Sequence, residues 1–477
     1  MRTIAILALS TVLTACTVGP DYAGPPTILT ASTSAHFTRT GDAVDGTQAP
    51  ITRWWLGFGD RTLDSLIERS FAANADIEIA KARIRQARAQ FRLEKADAGP
   101  SVGASPRYLR AHVPGLSLGD AGSDSGDLEI YNLGLTASWE IDLFGGQKRR
   151  FEASRATMAA TQATLGDIQV SLAAQVAQLY INLRREQQSA QAARTSGIIC
   201  QELLQLTQQR FARGTVSQAA VDQKVMDLAR ARERLSAIQA NIDTDLNALA
   251  ILIGQTPGAI DSVVGHSGSV PKAPDTVPVG DIAALIARRP DIRAAEQELA
   301  ASSARIGVIK ADSLPHFSML GIIGIGGSAP ADLTDLGSIT ALGAPTIKWN
   351  FIDFGRNRAR LWNAQAEFDA ATGKYRKTVL AALSDAEDAL ARSRSAREIL
   401  MERVRSRTAN VRMTEYAERR FKMGKFSRID LLNALLERQN SVESSSEARA
   451  DVARTFVGLQ KALGLGWAVN SLEPQQP

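Results

Sequence analysis

Two segments of this 477-residue chain repeat each other in register, and that constrains the fold more than any single motif. "DIEIAKARIRQARAQFRLEKADAGP" at 76–100 is echoed by "DIRAAEQELAASSARIGVIKADSLP" at 291–315, an offset of 215. "WEIDLFGGQKRR" at 139–150 is echoed by "WNFIDFGRNRAR" at 349–360, an offset of 210. The same 210 separates two breaks in otherwise helical sequence, "RFARGTVS" from Arg210 and "RFKMGKFS" from Arg420, and also Gly254 and Gly464, which end the helix after each break. A register held over more than a hundred residues reads as one supersecondary unit written twice. A Pro/Gly/Val-rich linker joins the copies.

Each unit reads helix, strand pair, very long helix, break, helix. In the first copy these fall near 62–98, 101–110 with 130–142, 149–212 and 218–253. The organisation predicted is an extended segment 16–61, repeat 1 at 62–254, a linker at 255–280, repeat 2 at 281–467 and a tail at 468–477. The second strand alternates: Tyr131, Leu133, Leu135, Ala137, Trp139 and Ile141 point one way, and Asn132, Gly134, Thr136, Ser138, Glu140 and Asp142 the other. In copy two Ile347, Trp349 and Phe351 share a face, opposite Thr346, Lys348 and Asn350. Strands of about ten residues suit a tilted membrane strand, apolar outside and wet inside, or a half-buried strand of a soluble sheet. The glycine-rich stretch 112–127 reads as an exposed hairpin loop.

A helix over 149–212 extends to about 95 Å, far beyond a globular helix. Its copy carries a 3.5-residue seam of Val379, Leu383, Ala386, Leu390, Ser393, Leu400, Val404 and Val411, interrupted by Arg397 and Arg407. The lengths fit one long helix flanked by two shorter ones stacked end to end. At the breaks, Gly214 and Gly424 supply the left-handed residue of a tight helical turn, and Ser217 and Ser427 stand where the returning helices need caps. Arg210, Arg420, Lys422 and Lys425 surround the turns. Four strands are too few to close a barrel, and an open edge cannot face lipid, so several chains must pool their strands in a multiple of four.

The first residues form an export signal. "MRTIAILALSTVLTAC" has one basic residue, an apolar run too short to span a bilayer, and Leu13-Thr14-Ala15-Cys16 at its end. Residues 1–15 are then removed, and Cys16 carries diacylglycerol and an N-acyl chain as the mature first residue. Thr17 in place of aspartate favours the outer membrane. The only other cysteine is Cys200, so no intrachain disulfide forms and Cys200 reads as a small buried hydrophobe. The net charge of +5 is interleaved along the helices, a solvated face and not a nucleic-acid surface. An enzyme is disfavoured. His36, His112, His266 and His316 are scattered, residues 265–269 only approximate a nucleophile elbow, and the glycines at 324–327 are followed by Pro330 with no helix opening. No catalytic residue, metal site or cofactor is expected.

Together the residues resemble the TolC-like outer-membrane efflux proteins, lipoprotein branch, from Cys16 to about Trp467. The motifs are Val18-Gly19-Pro20-Asp21-Tyr22 with Pro25, Trp54-Trp55 with Phe58-Gly59-Asp60 and Leu63, Asp142-Leu143-Phe144-Gly145, Arg289-Pro290-Asp291 and both Arg-Phe-x-x-Gly breaks. The resemblance implies an α+β membrane protein, a homotrimer. Its 12-stranded transmembrane β-barrel, four strands per chain, would continue into a periplasmic α-helical barrel belted by an equatorial domain. It implies an exit duct for drugs or other small solutes, docked to a periplasmic adaptor and an inner-membrane pump of resistance-nodulation-division type, in contact with outer-membrane lipid. A type I protein-secretion duct and a periplasmic adaptor lipoprotein are the alternatives. The tips, with Arg210, Phe211, Gly214, Ser217, Arg420, Phe421, Gly424 and Ser427, would meet the adaptor. Asp430 matches an acidic constriction position or else stabilises its helix N-terminus, and Asn433 departs from a second acidic one.

Overall fold

The computed structural model describes residues 17–27, 37–39, 44–45, 51–112, 127–266 and 268–467. Cys16, the export signal, His36, the loop 113–126 and the tail 468–477 lie outside the described residues. In chain order the elements are β1 (Val44–Asp45), α1 (Arg61–Ala73), α2 (Ala75–Asp97), β2 (Ser101–His112), β3 (Asp127–Ile141), α3 (Gly146–Ala212), α4 (Gln218–Leu252), α5 (Asp261–Val264), β4 (Val277–Pro278), α6 (Ile282–Arg288), α7 (Pro290–Asp312), β5 (His316–Gly327), β6 (Ile339–Lys348), α8 (Arg356–Lys422) and α9 (Arg428–Ala462). Corresponding helices match in length: α3 and α8 have 67 residues each, α4 and α9 have 35, and α2 and α7 have 23. Among the described residues no helix is long and apolar enough to cross a membrane.

The chain forms two compact units. One takes in Met1–Pro26, Ile84–Thr161 and Ala295–Tyr375 and holds the antiparallel sheet β2-β3-β5-β6. Its register pairs Leu133 with Ile325, Leu135 with Ile323 and Trp139 with Met319 on one face. Tyr108 stacks on Tyr131 on that face, ring centroids 4.9 Å apart. Leu135 and Ile323 are 52% and 60% exposed, so no described element covers this apolar face there. The opposite face is mixed: beside Leu320, Ile322 and Leu342, Ser101 Oγ lies 2.7 Å from Ser138 Oγ, Ser318 Oγ 2.7 Å from Thr346 Oγ1, and His316 Nδ1 2.8 Å from Glu140 Oε1. Beside the strand ends, Gln147 Nε2 donates to the Glu94 carbonyl and Phe91 meets Phe151, joining α2 to α3. Arg150 pairs with Asp312 at 2.9 Å, joining α3 to α7. The segment after Cys16 also docks here. Val18 donates its amide to the Phe144 carbonyl, and buried Arg149 donates to the Val18 carbonyl and the Asp21 carboxylate.

The other unit takes in Thr27–Arg83, Gln162–Ala294 and Arg376–Pro477. Here α3 packs on α4 through Ala190, Ala193 and Ile238, small side chains that let two long helices approach closely. The shorter helices do stack end to end. Asn74 Nδ2 donates to the Leu252 carbonyl at 3.0 Å, so α4 ends against the α1–α2 junction. Arg289 donates to the Ala462 carbonyl at 2.8 Å, so α9 ends against the α6–α7 junction. The parallel pair β1–β4 ties the N-terminal segment to the linker. Beside it, Trp54, Trp55 and Phe58 are buried, and Trp54 and Phe58 pack edge-on against Phe456. Asp60 caps α1 and also accepts from the Tyr180 hydroxyl at 2.8 Å; burial above all, with this bond added, pushes that phenol up to about 12.

Three sequence expectations need correction. The helix expected at 62–98 is broken at Asn74, whose extended backbone and side chain start α2 by accepting from the Asp76 and Ile77 amides. The strand expected to carry Trp349 and Phe351 ends at Lys348. Beyond it Trp349 Nε1 donates to the Ser313 carbonyl, and Asp353 accepts from the Gly355 and Asn357 amides to start α8. The seam of α8 is buried at Val379, Ala386, Leu390 and Ser393, but Val404 is exposed, and burial in the second half shifts to Thr414 and Ala417, where the Thr414 hydroxyl donates to the Ala434 carbonyl of α9. Arg397 interrupts that seam because its guanidinium is committed to the Pro274 and Asp275 carbonyls.

On α4, half-buried Asp245 faces Glu186 and Arg185 of α3; burial first and the Glu186 carboxylate second raise its pKa to about 6. The native pKa exceeds the ordinary value, so ionised Asp245 destabilises the fold above pH 6, and the penalty fades as pH falls through 6 towards 4. Discounted for partial exposure, the effect is about 1 kcal/mol. Thermal unfolding followed by circular dichroism should show higher stability at pH 5 than at pH 7. Asp245→Asn should remove that difference by raising the pH 7 value.

Candidate functional site

Both breaks form the same helix-terminating turn. At the first, Gly214 takes φ +74, its amide donates to the Phe211 carbonyl at 2.8 Å, and the Thr215 amide reaches back to the Arg210 carbonyl at 3.0 Å. At the second, Gly424 takes φ +70, its amide donates to the Phe421 carbonyl at 2.9 Å, and the Lys425 amide donates to the Arg420 carbonyl at 2.9 Å. These bonds satisfy the last carbonyls of α3 and α8, and a glycine makes the left-handed step without a Cβ penalty. A Cβ at Gly214 or Gly424 would meet no atom within 4 Å, so both turns stand open to solvent.

The two caps differ. Ser427 Oγ accepts from the Asp430 amide at 3.2 Å while Asp430 accepts from the Ser427 amide at 3.0 Å and its hydroxyl at 2.7 Å, a reciprocal capping box. These bonds, with Arg420 and Arg210 nearby, hold the exposed Asp430 carboxyl below the usual carboxylate range. Ser217 begins α4 but makes no side-chain cap bond, and Ala220 stands where Asp430 stands in the second turn. Without an acid to fix its hydroxyl, Ser217 does not cap as expected. Accordingly Ser427→Ala should cost about 1 kcal/mol and Ser217→Ala a few tenths, measured as a difference in thermal unfolding.

The tips carry cations held over rings. The Arg420 guanidinium lies 4.2 Å from the centroid of Phe426, and that of Arg428 lies 6.0 Å from Phe421. Arg428 also makes two bonds, 2.6 and 2.9 Å, to the Glu202 carboxylate on α3, which hold that carboxyl below its ordinary value. Below this bridge Leu432 of α9 is buried with Ile199 and Leu203 of α3. The two breaks therefore belong to neighbouring hairpins joined through α3 and α9. Asn433 is exposed one turn beyond Asp430. Sequence reasoning missed Glu202 and Phe426, because partners that join one copy of a unit to the other leave no spacing signal. Among the described residues, no cluster of three or more His, Cys, Asp or Glu side chains is arranged to hold a metal ion.

Long helical hairpins with open glycine turns, and a four-stranded antiparallel sheet with an exposed apolar face, are features that transmembrane barrel proteins use. The family model described as "Outer membrane efflux protein" matches residues 66–255 and 282–465, one stretch in each half. The chain belongs to the outer membrane efflux protein family. It is similar along its length to the pyoverdine export outer membrane protein OpmQ of Pseudomonas aeruginosa, 27% identical with 98% of this chain and 97% of that one covered. It is also similar to the antibiotic efflux pump outer membrane protein ArpC of Pseudomonas putida, 29% identical with 96% and 94% covered. Among solved structures, the outer-membrane channel OprN superposes with a TM-score of 0.85 at 32% identity, covering 95% of this chain and all of that one. The protein is accordingly an efflux channel and not an enzyme.

Proposed function

We propose that this chain is the exit duct of a tripartite efflux assembly, passively conducting small solutes that a periplasmic adaptor and an inner-membrane pump deliver. One observation carries the reading. The sheet β2-β3-β5-β6 leaves β2 and β6 as open edges under an exposed apolar face, so it suits a membrane only when completed by other copies. Three chains with four strands each make a 12-stranded barrel, and the exposed residues Ile399, Met401 and Val404 of α8 supply helix contacts between copies. Diacylglycerol and an N-acyl chain on Cys16 anchor the chain to the outer membrane, and a pump of the resistance-nodulation-division type drives the solute. Six turns, two per chain, form the periplasmic mouth and dock the adaptor through the cation-bearing surface around Gly214 and Gly424. The range from pyoverdine to antibiotics in the relatives' names supports a duct whose substrate is chosen by the pump.

The test is a cysteine cross-linking scan around both turns in cells, with the captured partner identified by mass spectrometry, alongside the mass of the detergent-solubilised protein. Capture of an adaptor and a mass of three chains are expected. A fully helical monomer sinks the pooled barrel, and capture of no adaptor at either turn sinks the docking assignment.

A further inference from the structure

We propose that Arg107 gives the lumen of the strand barrel a local positive potential that enriches anionic over cationic solutes there, without choosing the pump's substrate. The proposal rests on the reading of the sheet as one third of a barrel with its apolar face towards lipid. Register assigns the face. Arg107 pairs with Asn132, between the pairs Pro106–Leu133 and Tyr108–Tyr131 that belong to the apolar side. It therefore lies with Ser105 and Ser101, on the face where Ser138, Thr346 and Ser318 make their hydroxyl contacts.

Charge on this face is sparse and uneven. Glu140, His316 and Lys348 stand together at the strand ends next to the helices, where Glu140 meets His316 at 2.8 Å and Lys348 lies opposite His316 in register. Arg107 stands apart: its partner Asn132 is eight positions along β3 from Glu140, about 26 Å at the rise of a strand. The Arg107 side chain is exposed, and among the described residues no carboxylate pairs with it. Arg110, on the same strand but the other face, is by contrast neutralised by Glu129 at 3.4 Å.

The surroundings leave the guanidinium open to the lumen. The Asn132 amide lies flat over two facing glycines: a Cβ at Gly134 would come 2.9 Å from its Oδ1, and one at Gly324 2.8 Å from its Nδ2. Asn132 is thereby folded against the wall beside Arg107, where the neighbouring positions are Ser105, Gly134, Gly324 and Gly326 on one side and Leu109 and Ile130 on the other. A long cation among uncharged neighbours projects its field into the pore. Three copies form a ring that concentrates anions and repels cations, as rings of Arg or Lys do in anion pores.

The experiment uses the full-length channel in intact outer membranes, carrying Cys200→Ala and Ser105→Cys. Residue 105 shares the strand face with Arg107 and reports the potential there through its thiol. Its rate of modification is measured with an anionic and a cationic methanethiosulfonate reagent added outside the cells. The anionic-to-cationic rate ratio should fall about tenfold on adding Arg107→Gln and be kept by Arg107→Lys. A ratio unchanged by Arg107→Gln overturns the proposal alone. A residue 105 that neither reagent reaches overturns it together with the barrel reading. Because the local potential is read within the barrel, a constriction at the periplasmic turns does not mask the result.

Discussion

Replacing Trp54 with alanine should destabilise the protein by about 3–5 kcal/mol, the range for emptying a buried tryptophan site. Trp54 is 3% exposed and packs edge-on against Trp55, Phe58 and Phe456, with centroids 5.7, 6.4 and 6.1 Å away. It thereby joins the segment before α1 to α9, and the cavity left by truncation opens where elements far apart in sequence meet. Its indole N–H is buried without a hydrogen-bond partner, so packing and not polarity holds the residue. Trp54→Phe should therefore cost much less, within about 1.5 kcal/mol. Loss of helicity on heating, followed by circular dichroism, distinguishes the two. Equal destabilisation by both variants would mean that the N–H has a partner after all.

Four glycines end helices in the same left-handed conformation, yet their substitutions should differ sharply. Gly214 and Gly424 have φ of +74 and +70, and an added methyl would meet no atom within 4 Å. Alanine there meets only backbone strain, about 1–2 kcal/mol. Gly254 and Gly464 have φ of +69 and +68, but an alanine Cβ would lie 2.2 Å from the Ala73 carbonyl oxygen and 3.0 Å from Arg289 Cα. The backbone at Ala73 must move, and overpacking adds about 1–3 kcal/mol to the strain. Gly254→Ala should therefore lower the unfolding temperature well beyond Gly214→Ala, with Gly464→Ala between them or equal to Gly254→Ala. A Gly214→Ala protein as unstable as Gly254→Ala would place the first turn against another surface.

The repeat makes much of the architecture legible from the residues alone. Element order, the length of the long helices, the alternation of β3 and the glycine turns all follow from local chemistry, in which Gly at a left-handed position or an alternating apolar strand carries its own signal. The break at Asn74 is harder to see. Its signal is an asparagine two residues before an aspartate, and what commits it is the Leu252 carbonyl of α4. Ser217 and Ser427 read alike, yet only Ser427 has Asp430 to complete a capping box.

The sequence by itself determined the unit, its duplication at a fixed offset, the two turns and the likeness to a family, because these depend on periodicity and on residues with restricted backbones. Only the tertiary structure decided which parts of the unit meet. It placed Arg428 on Glu202, turned Arg397 to the linker carbonyls, folded Asn132 over Gly134 and Gly324, and left Arg107 open while Arg110 is paired. The reason is physical: a side chain's charge and size are written at its own position, but its partner is set by packing and strand register between segments that can lie hundreds of residues apart.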